Sequence, residues 1–156
     1  MFKIRKHLKK DIPLRVKWLN NPKATKYALE RPEKKTNIKE QTAWFVSYFK
    51  NKKKLFFTIV YNNMAIGFMG FSSINRKTKT ADIFIMIGED QYRRKGLGKK
   101  AFQYLLEYGF KKLKLKEINL EVNKKNKMAI KLYKKSGFKI KNINKYEISM
   151  SLTKWG

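Results

Sequence analysis

Between residues 80 and 138 the chain runs strand, basic glycine loop, amphipathic helix, alternating strand, short helix and Gly-Phe, an order that few folds can absorb. Residues 80–87 form an apolar run that predicts a strand. Arg93-Arg94-Lys95-Gly96-Leu97-Gly98 follows, opening a helix over 96–113 with Leu97, Ala101, Tyr104, Leu105 and Tyr108 on one stripe. Residues 117–122 alternate, Ile118, Leu120 and Val122 facing one way and Glu117, Asn119 and Glu121 the other. A helix over 126–135 ends at Gly137, read as a left-handed cap with Phe138 folding back. Two glycines one residue apart at a helix start leave backbone N–H groups free for phosphate oxygens. Arg93, Arg94, Lys95 and Lys99 can neutralise such a group. Asn126 and Tyr133, seven residues apart, project from one helix face.

The rest of the chain predicts strands at 2–5, 55–61, 65–74, 138–142 and 146–152. It also predicts helices at 11–19, capped by Asp11, and at 38–50, with Trp44, Phe45, Tyr48 and Phe49 at helical spacing. No linker or repeat divides residues 1–156, so the expectation is one α+β domain: a central, mostly antiparallel mixed sheet of about seven strands with about four helices.

Composition narrows the chemistry. With no cysteine, thiolate metal sites, redox pairs and an acyl-cysteine route are excluded. His7 is the only histidine, which rules out a Ser-His-Asp triad on another histidine; it reads as a surface residue. No run reaches the roughly 20 apolar residues of a membrane span and no signal peptide is visible, so the expectation is a cytoplasmic protein without membrane association. The net charge of +28 comes mostly from lysines scattered along the length, such as Lys9-Lys10, Lys52-Lys53-Lys54 and Lys134-Lys135. A dispersed coat favours anionic ligands at long range without forming a footprint. A basic nucleic-acid-binding module is the alternative from another class, but no recognition motif supports specific nucleic-acid binding.

In this order the elements resemble the GNAT superfamily of N-acetyltransferases across nearly the whole chain. Arg93, Gly96 and Gly98 meet the family's pyrophosphate pattern; Asn126, Ala129, Leu132, Tyr133, Gly137 and Phe138 meet its second signature. The resemblance implies the GNAT fold and acetyl-CoA, or coenzyme A, as the cofactor. Its binding residues would be Ile85, Met86, Ile87, Arg93, Arg94, Lys95, Gly96, Leu97, Gly98, Lys99, Asn126 and Tyr133. It further implies that Tyr133 protonates the departing sulfur, backbone N–H groups of residues 85–87 hold the acetyl carbonyl, and Glu121 deprotonates the amine by direct attack in a ternary complex. Read alone, Tyr133 is equally a core aromatic and Glu121 a solvated strand residue; Asp82 and Glu89 are rival bases. Gly96 to Ala101 also fits a dinucleotide fingerprint, but residues 88–95 separate it from the strand and too little chain follows.

The acceptor is the least constrained part. Trp18, Asn20, Tyr27, Arg31, Trp44 and Tyr146 are the candidates implied by the family, with helix-to-sheet packing the alternative for both tryptophans. The stretch Trp18-Leu19-Asn20-Asn21-Pro22 is similar to ribosomal-protein N-terminal and amino-sugar-nucleotide acetyltransferases. The acceptor is therefore expected to be a small-molecule or peptide amine, a nucleotide-linked amino sugar or a protein N-terminus, with an antibiotic-type amine as the alternative. Scarce carboxylates disfavour polyamines. Either a monomer or a homodimer is compatible with the sequence.

Overall fold

The computed structural model describes residues 1–26 and 34–154. Its strands are β1 (Phe2–Lys6), β2 (Leu55–Tyr61), β3 (Met64–Phe71), β4 (Thr80–Ile87), β5 (Glu117–Asn123), β6 (Lys139–Ile143) and β7 (Glu147–Thr153). They make one sheet in the order β1-β2-β3-β4-β5-β7-β6, antiparallel throughout except between β4 and β5. The helices are α1 (Ile12–Leu19), α2 (Pro22–Thr25), α3 (Ile38–Lys50), α4 (Leu97–Glu107) and α5 (Lys127–Lys135). The α+β class and the seven strands agree with the sequence reading. Five helices rather than four occur among the described residues, because Asn21 starts a further turn: its side chain accepts from the Lys23 N–H, and Pro22 holds the first position.

Side-chain alternation places a helical layer on each face. On β2, Phe57 meets Tyr104 and Tyr108 on one side, while Phe56 packs with Trp44 and Tyr48 of α3 on the other. The main core lies under α4 and α5, where Phe102 rather than Tyr104 completes the buried stripe of α4; Tyr104 is partly exposed. After Glu107 the helix widens into a π turn over Tyr108–Lys112 instead of continuing regularly. Gly109 lies against Ile118 in this turn: a Cβ there would come within 2.9 Å of its Cδ1. Among the described residues no helix is long and apolar enough to cross a membrane.

Two details at the N-terminus differ from expectation. Asp11 precedes α1 but does not cap it; its carboxylate accepts from Arg5, the Leu8 N–H and the Thr58 hydroxyl at 2.7 to 2.9 Å. His7 is not a surface residue. It is buried, with Nδ1 2.8 Å from Thr58 Oγ1, and desolvation pushes its pKa down to about 4.

The feature that positions the site is a split in the sheet. Parallel pairing joins only Thr80, Ala81 and Asp82 to Glu117, Ile118 and Asn119. Beyond Asp82, β4 continues along β3 to Ile87 while β5 continues along β7 to Asn123, and a wedge opens between them.

Candidate functional site

A cavity of about 340 Å³ fills the wedge, bounded by Ile83 to Met86 on β4 and Leu120 to Val122 on β5, with Asn126 and Tyr133 at one side and Arg15 and Trp44 at the other. The hydrogen bonds on β4 fix which backbone groups reach it. Ser72 N–H bonds the Asp82 carbonyl and Gly88 N–H bonds the Ile66 carbonyl, so even-numbered residues turn their backbone toward β3. Ile83, Ile85 and Ile87 therefore turn theirs toward the wedge. Of the three residues expected to offer backbone donors, Ile85 and Ile87 are suitably turned. Met86 is not: its peptide groups serve the β3 ladder, and its side chain lines the cavity.

The loop after β4 ends at α4, and the four basic residues around it divide in function. Arg93 Nη1 donates to the Ile87 carbonyl at 2.8 Å and its guanidinium also pairs with Asp90, so this residue braces the loop. Arg94, Lys95 and Lys99 are exposed. Arg94 and Gly96 both take left-handed backbone, with φ of 62° and 79°. Gly96 starts α4 with no side-chain cap, and Leu97, Gly98 and Lys99 have N–H groups without helical carbonyl partners. Leu97 contributes only backbone here because its side chain is buried. A Cβ on Gly96 would meet nothing within 4 Å, and one on Gly98 only Ile87 Cγ1 at 3.8 Å. Packing does not require a glycine at 98. The space above it fits the close approach of a diphosphate, as a coenzyme site needs.

Across the wedge, Asn126 caps α5 and Tyr133 lies on it. Asn126 Oδ1 accepts from the Ala129 N–H at 3.2 Å, so half of its amide caps the helix and its N–H₂ remains for a ligand. The helix closes as the sequence suggested. Gly137, at φ 100°, donates to the Lys134 carbonyl and Phe138 donates to that of Tyr133, a Schellman motif. Tyr133 packs against Phe102 and Phe138, and burial pushes its phenol up to about 12. It therefore stays protonated at neutral pH.

Alternation on β5 sends Leu120 and Val122 to the same side as Tyr133 and Glu121 to the opposite side. There Glu121 borders both the cavity and a polar recess of about 510 Å³ that also touches Asp82, Asn119, Glu147 and Ser149. Asp82 is held above the usual carboxylate range by partial burial and then by the charge of Glu121. Glu89, the other rival base, is occupied: it accepts from the Trp18 indole N–H at 2.5 Å and pairs with Lys17, and its pKa is lowered by those bonds despite burial.

The acceptor candidates separate. Trp44 lines the cavity. Trp18 does not; it is fully buried, stacked on Phe68 and laid against Gly88, whose missing Cβ makes room for the indole. Asn20 exchanges hydrogen bonds with Thr36 and so ties the chain before α3 to the end of α1. Tyr146 is exposed at the turn between β6 and β7. Tyr27 and Arg31 lie outside the described residues. Sequence reasoning passed over Arg15, a cavity residue with its guanidinium 3.8 Å from the Trp44 ring centroid and 4.6 Å from that of Phe68. The available signal was a basic residue between Ile12 and Trp18 on the buried face of α1.

Residues 2–139 match the family described as acetyltransferase (GNAT) domain. Spermidine N(1)-acetyltransferase of Escherichia coli is 27% identical over 121 residues, which span 78% of this chain but only 63% of that relative. Acetyltransferase PseH of Campylobacter jejuni is 24% identical over 130 residues, 83% of this chain and 78% of that protein. The crystal structure of Vibrio cholerae spermidine N-acetyltransferase in complex with CoA and spermine superposes with a TM-score of 0.89 at 21% identity, covering 99% of this chain and 96% of that one.

Proposed function

Since the chain belongs to the GNAT acetyltransferase family, we propose that it transfers acetyl from acetyl-CoA to a primary amine of a small molecule, by direct attack in a ternary complex. The observation that carries this reading is the wedge between β4 and β5, which brings a protonated phenol and a carboxylate to one cavity from opposite faces of the sheet. When bound, acetyl-CoA supplies an activated acetyl group as a thioester. The loop at 94–99 would hold the diphosphate through backbone N–H groups and exposed basic side chains. Ile85 and Ile87 would offer main-chain hydrogen bonds along the wedge, and the amide N–H₂ of Asn126 another.

Tyr133 would donate its proton to the departing sulfur, and its raised pKa supports that role. Glu121 would take a proton from the incoming ammonium group on the other face, directly or through water. The net charge of the chain argues against cationic acceptors, but local charge counts for more at this distance. Three of the eleven carboxylates, Asp82, Glu121 and Glu147, border the polar recess. They favour an ammonium head on any acceptor and do not by themselves choose between a polyamine and an amino sugar.

Replacing Tyr133 with Phe tests the assignment. With acetyl-CoA and a panel of amines, kcat should drop roughly 10²-fold while the Kd for acetyl-CoA stays within about twofold. An unchanged kcat would remove Tyr133 as the acid.

A further inference from the structure

Arg15 is 5% exposed, yet no ion pair to it occurs among the described residues. The one described side-chain hydrogen bond it makes runs from Nε to Gln41 Oε1 at 3.1 Å, and Nη1 is buried without a partner. The acid whose charge reaches it, Asp11, makes no ion pair with it and is committed to Arg5, Leu8 and Thr58. Two aromatic faces, Trp44 and Phe68, flank the guanidinium and fix its plane. A buried charge without an ion-pair partner destabilises a fold, which gains nothing by keeping it where a methionine would pack. The same residue lines the cavity on the side away from Tyr133.

We propose that Arg15 is a specificity-determining residue that binds an anionic oxygen group, a phosphate or carboxylate, carried by the amine acceptor. This rests on the acetyltransferase reading and narrows it. The acceptor would present its ammonium end to the carboxylates around Glu121 and its anionic end to the guanidinium held between Trp44 and Phe68. A polyamine has no group for Arg15 and would meet its charge unscreened, so it becomes a poor substrate.

The test uses the full chain saturated with CoA, so that added phosphates do not read out the diphosphate loop, and compares glucosamine 6-phosphate, glucosamine and spermidine by calorimetry. The wild-type protein should bind the phosphorylated amine at least about tenfold more tightly than glucosamine, and Arg15→Met should erase that preference. CoA affinity and melting temperature should be unchanged or raised in the variant, since an unpaired buried charge has been removed. Equal binding of the two sugars by the wild type would overturn the proposal. So would a preference that survives in Arg15→Met, which would assign it to surface lysines, or a preference for spermidine that the variant leaves intact. If Arg15→Met does not fold, Arg15→Lys decides: a several-fold loss of preference with CoA binding intact supports the proposal, and an unchanged preference ends it. Failure of the wild type to take up CoA at all would instead remove the underlying acetyltransferase reading.

Discussion

The two sides of the cleft offer a ligand different means of recognition. The proposed coenzyme side, β4 through the start of α4, offers main chain: two glycines with open space around them, an uncapped helix start and the odd-numbered edge of a strand. The proposed acceptor side offers side chains that converge from separate elements: Arg15 on α1, Trp44 on α3, Asp82 on β4, Glu121 on β5 and Glu147 on β7. Main-chain recognition needs a short contiguous segment and tolerates little variation within it. Side-chain recognition needs only the fold and can be rewritten position by position.

The sides also differ in what supports them, and acid should expose this most strongly. Beneath α1 lies a polar group of buried His7, Asp11 and Thr58 closed by half-buried Arg5, whereas on the α4 side the shifted group is the half-buried Tyr133, moved away from neutral pH. Folded His7 has its pKa lowered from 6.5 to about 4 by desolvation. Between those values the unfolded chain binds more protons, so stability falls as pH drops through the window, by up to about 3 kcal/mol in all. Asp11, lowered from 3.8 to about 2 because its bonds to Arg5, Leu8 and Thr58 outweigh desolvation, extends the loss below pH 4. A His7→Gln variant should flatten the denaturation midpoint between pH 6.5 and 4, measured in urea. A midpoint with the wild-type slope across that window would mean that His7 titrates normally in the folded protein.

The glycines offer a smaller effect that sharpens the contrast. Gly98→Val adds a side chain where the fold has room and a diphosphate would sit, with Ile87 at ordinary contact distance from its Cβ. Acetyl-CoA affinity should fall at least about tenfold, about 1.4 kcal/mol, with the melting temperature nearly unchanged. Gly88→Ala serves as the control in the same connection. Its Cβ would fall 2.2 Å from the Trp18 ring, so it should cost about 1–3 kcal/mol of stability. If Gly98→Val melts early and still binds acetyl-CoA, the glycine belongs to the fold and the main-chain account of that side fails.

The same contrast explains what was readable in the sequence. The ends of α3 and β4, the Gly137 cap and the loop at 93–98 were legible because each follows from contiguous residues and one periodicity. Trp18 was left between acceptor contact and packing because a tryptophan before Asn20-Asn21-Pro22 gives no sign of which side it faces; the answer, packing, lies seventy residues away, at Gly88 and Glu89. His7 was misplaced for a similar reason, since its partner Thr58 sits on a strand whose pairing with β1 no local pattern announces. Arg15 looked like one more basic residue in a chain with thirty-nine of them, and only the packing of α1 against α3 distinguishes it. Whole-chain charge says little about the acceptor for the same reason, because it averages over the placement of the few carboxylates.

The smallest effect bears on Asn126, which we propose belongs to both modes. α4 and α5 begin on opposite edges of the wedge, one open and the other capped by Asn126. If Asn126 serves only its helix, Asn126→Ala should cost about 1 kcal/mol of stability, a drop of about 2–4 °C in melting temperature, and Asn126→Ser should restore it because the hydroxyl oxygen can accept from the Ala129 N–H. If its N–H₂ also meets the coenzyme, serine should restore the melting temperature but not the affinity, leaving acetyl-CoA several-fold weaker for want of one donor. We expect the second pattern, because Oδ1 is occupied by the cap while Asn126 still borders the cavity. Full recovery of both properties in the serine variant would make α5, apart from Tyr133, a purely structural wall.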